Sequence, residues 1–145
     1  MKTWIKILLG LFVVGMMLLF LVYKFVYNKK QPDYEKIEAS VTLNAQDLYK
    51  TFKNNKEAAS KEYNGKVICL TGKLSKIESS DSIVTAVFVF SQGMFGDEGV
   101  RCTMLKKFND PAKKLQPDGD IKVKGYCTGY NETDVILDKC SIIIL

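Results

Sequence analysis

The side chains that most often carry chemistry are thinly spread in this chain. Histidine is absent altogether, which removes the commonest general base and metal ligand and excludes Ser-His-Asp and Cys-His pairs. Carboxylates at Asp81, Asp97, Glu98, Asp118, Asp120, Glu132 and Asp134 fall on expected turns and helix surfaces. No local spacing pairs two of them for acid–base work. No Walker or dinucleotide glycine pattern occurs. Cys69, Cys102, Cys127 and Cys140 stand 33, 25 and 13 residues apart, far from the close Cys-x-x-Cys type of spacing that builds a zinc site. The sequence therefore points to no catalytic residue, no metal and no cofactor, and to a protein that is not an enzyme.

The elements that must position the remaining polar groups begin with a membrane segment. From Ile7 to Tyr23, "ILLGLFVVGMMLLFLVY" carries no charge, and Lys6 and Lys24 bracket it. With Trp4, Ile5, Phe25 and Val26 it reaches the roughly 20 apolar residues a spanning helix needs. Trp4, Tyr23 and Tyr27 sit where interfacial aromatics gather. A cleaved signal peptide would end in small residues; here the run ends in "LVYKFVYNKK", so an uncleaved, single-pass anchor over 1–27 is expected. No cysteine follows it to accept a lipid. The chain holds 21 basic and 16 acidic residues, and Lys2, Lys6, Lys24, Lys29 and Lys30 all lie in or beside the anchor. Beyond residue 32 the balance is 16 against 16, a net charge of zero. A nucleic-acid binder concentrates positive charge on its folded domain, so nucleic acid is an unlikely partner. The lysines on the two sides of the span are too evenly divided to set its orientation.

Residues 28–43 read as a polar linker. Asn44 then offers a helix N-cap with Asp47 three residues on, and Ala45, Leu48, Phe52 and Ala59 share a face at helical spacing. A helical segment is expected over 44–62, with "NN" at 54–55 dividing it. From "YNG" at 63–65 onward the pattern is that of strands, at about 66–77, 82–90, 99–105, 120–130 and 134–145. "SQGMFGDEG" reads as a long loop, and "NET" at 131–133, although it matches a glycosylation sequon, as a hairpin turn. Asp110 and Pro111 suit the start of a short helix between the third and fourth strands. Ile68, Leu70, Gly72 and Leu74 alternate on one face, as do Ile121, Val123, Gly125 and Cys127. Inward glycines mark bends or close backbone approach. The second strand, "SIVTAVFVF", is apolar on both faces, and the helical segment is its expected cover. Five strands with a helix between the third and fourth follow the order of an OB-fold barrel, over 63–145.

The stretches "AQDLYKTFKNNKEAASKEYNGKVICLTGKLSKI", "GVRCTM" and "PDGDIKVKGYCTGYNETDVILDKCSIII" resemble the anticodon-binding-like (tRNA_anti-like) OB-fold family over about 44–145. The resemblance implies a small bacterial protein carrying a mainly β OB-fold, many members being membrane-anchored or lipoproteins. This chain departs from the lipoprotein members in lacking the acceptor cysteine. The fold implies no activity of itself.

In such a barrel the third strand neighbours the fifth and the first neighbours the fourth. Cys102 with Cys140, and Cys69 with Cys127, are the natural disulfide candidates in an exported domain; four buried free thiols are the alternative. On the usual OB ligand face stand Thr85, Arg101 and Thr103, with Lys73 on the adjoining strand, and Tyr126 and Tyr130 are placed to stack on a base or sugar or to pack across strands. The reading that follows is a membrane-tethered, non-enzymatic binding or assembly module, its domain periplasmic or extracellular. It would recognise an unknown protein, peptide or glycan; binding of single-stranded nucleic acid or oligosaccharide on the OB face is the alternative.

Overall fold

A computed structural model describes residues 2–28 and 32–143, which divide into two compact units, Met1–Pro32 and Asp33–Leu145. The first is the helix α1, Lys2–Tyr27. None of its residues is buried, and at 26 residues it is about 39 Å long, enough to cross a hydrocarbon core of about 30 Å. Tyr23 and Tyr27 stack at its end, ring centroids 4.8 Å apart. It is a helix that could span a membrane. Lys29 and Lys30, and the expected strand end at 144–145, lie outside the described residues.

The second unit is mainly β. Its strands are β1 (Val41–Asn44), β2 (Val67–Lys73), β3 (Lys76–Ser80), β4 (Ile83–Gly93), β5 (Gly96–Met104), β6 (Asp120–Tyr130) and β7 (Asp134–Ile143). They form one sheet in the order β1-β2-β6-β7-β5-β4-β3. The expected closed barrel of five strands is thus corrected to an open sheet of seven among the described residues. Two events make the difference. The first expected strand breaks at Leu74–Ser75, where Leu74 turns fully into the core. Before the break β2 pairs with β6, and after it β3 pairs with β4. The N–H of Leu74 donates to Gly119 and that of Ser75 to Val87, while the Ser75 hydroxyl accepts from the Val89 N–H at 2.8 Å. The Leu74 carbonyl accepts from the Asp118 N–H at 2.8 Å, so the partner switch keeps both backbone N–H groups and this carbonyl paired. β2 and β3 do not pair with each other; Leu74 and Ser75 join them along the chain, and the ladders between them run through β6, β7, β5 and β4.

The second event is β1. Residues 33–43, expected within a polar linker, belong to the globular unit with Asn44. β1 adds a parallel edge to β2, and the residues before it lie along the outer face of β2 and β6. There Tyr34 meets Tyr126 edge-on at 5.3 Å, and the Lys124 ammonium donates to the carbonyls of Glu35 and Ile37 at 2.6 and 2.9 Å.

The expected long loop after the second strand is also corrected. β4 and β5 continue in register through Ser91–Glu98, Gln92–Asp97 and Gly93–Gly96, beyond a bulge at Val89–Ser91. The hairpin closes on two residues, Met94 and Phe95.

Two helices, α2 (Ala45–Asn54) and α3 (Lys56–Tyr63), divide at Asn55. Asn44 caps the first by accepting from the Gln46 N–H at 2.8 Å, and Asn55 caps the second through the Ala58 N–H at 3.1 Å. Their buried faces place Ala45, Leu48, Tyr49, Phe52, Ala59 and Tyr63 against Ile68, Leu70, Phe88, Val123 and Leu137. The outer face of β4 is covered differently from the expectation. Val87, 1% exposed, lies in register between Lys76 and Arg101, whose aliphatic stems shield it. Between β5 and β6 come a single 3-10 turn, Lys106–Phe108, and α4, Asn109–Lys113. No side chain caps α4; Asn109 instead donates to the Ser82 carbonyl at 2.8 Å. The inward glycines are sites of close approach. A Cβ on Gly125 would lie 2.4 Å from the Cys140 sulfur, and one on Gly72 3.3 Å from the Ala45 Cβ.

Candidate functional site

The residues singled out by type do not converge on one spot. Thr85 and Thr103 are cross-strand partners on the outer face of β4 and β5, with Arg101 two positions along. All three are half-buried. Arg101 is fully engaged: its Nε donates to Asp134 at 3.0 Å and its Nη1 to Glu78 at 2.6 Å. Lys76 completes the array, 2.9 Å from Asp97 and 3.1 Å from Glu78. Asp134, only 7% exposed, also accepts from the Gly99 N–H at 3.0 Å. Partial burial works against the charge on Glu78, but hydrogen bonds from Lys76 and Arg101 outweigh it and hold the carboxyl below its usual range. The hydrogen bond from Lys76 does the same for Asp97. This face is a set of paired charges, with no surplus cation offered to a phosphate.

The other candidates lie elsewhere. Lys73 is exposed at the end of β2, opposite Asp120. Tyr126 is occupied by Tyr34. Tyr130 was expected to point outward with Tyr126. A register shift between Cys127 and Gly129 turns it instead towards the helices, where its ring lies 5.9 Å from that of Phe52.

All four cysteines are free and buried, which corrects the expected disulfides. A bulge between Cys102 and Met104 puts Cys102 opposite Leu137 and Cys140 opposite Met104. The expected partners are therefore offset by two residues. Cys69 faces outward beside Lys124 whereas Cys127 faces the core, so that pair sits on opposite faces. Burial pushes the Cys127 thiol up to about 11. Burial, then the hydrogen bond with Cys102, also raises Cys140 well above the ordinary thiol value. Buried thiols held protonated are poor nucleophiles, and they no longer indicate an exported domain. Among the described residues no cluster of three metal-ligating side chains occurs.

Two features were not singled out from sequence. The first is the β4–β5 tip, where Met94 and Phe95 are 93% and 90% exposed. The only hint was two large apolar residues between glycines with acids following. Those acids are not bare: Asp97 is held by Lys76 and Gln92, and Glu98 accepts from Tyr49 at 2.8 Å and Lys53 at 3.0 Å. The second is a cleft of about 340 Å³ between α3 and the β6–β7 hairpin, which takes in Tyr130. It joins residues far apart in sequence and has no local signature.

A mainly β sheet in this strand order, its long first strand shared between two partners and a short helix before β6, defines an OB-type domain. The tRNA_anti-like family profile matches residues 1–142, and the chain belongs to that family. No curated protein matches it. Among solved structures it is similar to one from Klebsiella pneumoniae provisionally named a nucleic acid-binding lipoprotein. The two share 15% identity and a TM-score of 0.52, over 71% of this chain and 92% of that one; the likeness is one of fold. A provisionally named aspartyl-tRNA synthetase of Leishmania major aligns at 11% identity and TM-score 0.47, covering 78% of this chain and 22% of that one. Asparaginyl-tRNA synthetase of Pyrococcus horikoshii aligns at 19% and 0.39, over 57% of this chain and 20% of that one.

Proposed function

We propose that this protein is a membrane-tethered, non-enzymatic recognition module that docks a protein or peptide partner on its β4–β5 hairpin tip. The carrying observation is the exposure of Met94 and Phe95, 93% and 90%, at the end of a hairpin whose register is paired to the last residue. Methionine and aromatic side chains are enriched in interface cores, and a few such anchors carry most of the energy of association. Burying both against a partner would contribute about 3–6 kcal/mol. The neighbouring acids are neutralised in place, so the tip brings no uncompensated charge into a contact.

The anchor keeps the module at a bilayer. In this reading the domain faces away from the cytoplasm, as the lipoprotein name of the structural neighbour suggests. Protease access to the domain in intact rather than lysed cells tests that side. Nucleic acid on the OB face is disfavoured because Lys76 and Arg101 are already paired with carboxylates and the domain carries no net charge.

The test is affinity capture of the full chain from detergent-solubilised membranes, beside the variants Phe95→Ser and Met94→Ser/Phe95→Ser. A specific partner should be retained by the parent and lost from the double variant, with thermal melting unchanged. A capture profile identical in parent and variants would overturn the proposal.

A further inference from the structure

The cleft between α3 and the β6–β7 hairpin is a second candidate surface, independent of the tip. Lys56, Ser60, Asn64, Thr128, Tyr130 and Asn131 line it. Its shape follows from Gly129, whose φ of +147° is open to glycine at no steric cost. A Cβ there would also sit 3.4 Å from the Asn64 side chain.

Asn131, Thr128 and Tyr130 are held in place by hydrogen bonds, and several polar groups face the cleft uncommitted. Asn131 Oδ1 accepts from the Thr133 N–H, the Thr133 hydroxyl and the Asp134 N–H, at 3.1, 2.8 and 2.7 Å. That fixes the carboxamide and leaves its Nδ2 as an oriented donor. Asn64 Oδ1 has only a long contact of 3.9 Å from the Cys127 thiol, and its Nδ2 makes no hydrogen bond among the described residues. Thr128 donates to Asp138 at 3.0 Å and keeps its lone pairs for a donor. The Ser60 hydroxyl makes no hydrogen bond among the described residues. Tyr130 supplies an apolar wall, pinned by Phe52 and by donation of its hydroxyl to the Glu132 carbonyl at 2.9 Å. The cation on the rim, Lys56, is paired with Glu132.

We infer that this cleft binds a neutral, acetamido-bearing sugar ring through Asn64, Asn131, Ser60 and Thr128. Amide donors, that of Asn131 fixed, suit an amide carbonyl, hydroxyl acceptors suit ring hydroxyls, and the half-buried Ile136 offers a seat for an acetyl methyl. With Lys56 already paired and the Asp138 carboxylate held on Thr128, the rim selects against phosphate and carboxylate ligands, whose own charge would go uncompensated. The volume lies at the lower end of ligand sites, roughly 300–1,000 Å³, so one ring is the unit recognised. An open site with few buried contacts corresponds to millimolar affinity, about 1–10 mM.

The experiment is saturation-transfer NMR on the full chain in nanodiscs, free of sugar-headed detergent, with N-acetylglucosamine, glucose and glucuronate as probes. N-acetylglucosamine should receive saturation, strongest at its acetyl methyl, and glucuronate little. Ser60→Trp, which fills the cleft, should weaken binding by about tenfold or more. Asn64→Ala, which keeps its backbone cap on α3, should weaken it by about threefold to tenfold for one lost hydrogen bond. Matched melting curves establish that both variants are folded. Phe95→Ser should bind the sugar as the parent does, so this result stands or falls apart from the tip. No transfer to N-acetylglucosamine, equal transfer in Ser60→Trp, or preference for glucuronate would each overturn the assignment.

Discussion

Gly125 shows how far a single residue's role can be read before the structure is seen. Its place on the inward face of a strand follows from alternation, but the reason for glycine does not, because the atom that excludes a side chain comes from Cys140, fifteen positions away. Gly125→Ala should destabilise the domain by about 1–3 kcal/mol through overpacking. Adding Cys140→Ala should restore part of that loss, as chemical denaturation of the four corners of the cycle would reveal. The carboxylates on the outer face were visible only as scattered acids, since their partners arrive from three different strands. Glu78 and Asp97 have folded-state pKa values below their ordinary ones. Their pairing therefore stabilises the fold above the unfolded values, about 4.3 and 3.9, and is lost as pH falls through the lower folded values. The melting temperature should drop below about pH 4, and Lys76→Gln should flatten that acid limb. An unchanged limb in Lys76→Gln would remove Lys76 from the account.

At the scale of elements, strands and helices with strong periodicity were legible and their ends were not. The apolar alternation of β2 and β6, and the helical face of Leu48 and Phe52, follow from spacing alone. The hairpin tip was hidden because "SQGMFGDEG" has the composition of a loop, whereas backbone pairing, blind to composition, carries β4 and β5 through it. The break at Leu74–Ser75 was hidden because both halves keep one alternation while changing partners. Asn44 was legible as a cap, and Asn44→Ala should cost about 1 kcal/mol. Hydrogen exchange should then quicken in the first turn of α2 before it does in β6. The disulfide pairs failed for an element-level reason: in the parallel register of β5 and β7, shifted by an extra residue in β7, Cys102 stands opposite Leu137 and Cys140 opposite Met104.

For the whole molecule, composition separates an apolar, lysine-flanked N-terminal segment from a part beyond residue 32 that is balanced in charge, and the two compact units divide at the same place. The protein should sediment with membranes until detergent is added. In detergent it should show no submicromolar, salt-sensitive affinity for single-stranded RNA or DNA; such affinity would require a surplus of cations the domain does not have. The packing of residues 33–44 on the outer face has a mechanical consequence. If the N-terminus is fixed in a bilayer while a partner pulls on Met94 and Phe95, tension enters the sheet through this segment. The Ser40 N–H to the Val67 carbonyl, the Lys124 contacts and the four-residue ladder of β1 carry that load first. Peeling them away would free twelve residues, a segment that reaches about 40 Å when fully extended, without unfolding the core. Cys69, 2% exposed beside Lys124, would then be uncovered while Cys102, Cys127 and Cys140 stay enclosed. Thiol labelling under mild denaturant or applied force should mark Cys69 ahead of the other three, making that sulfur a gauge of strain on the tether.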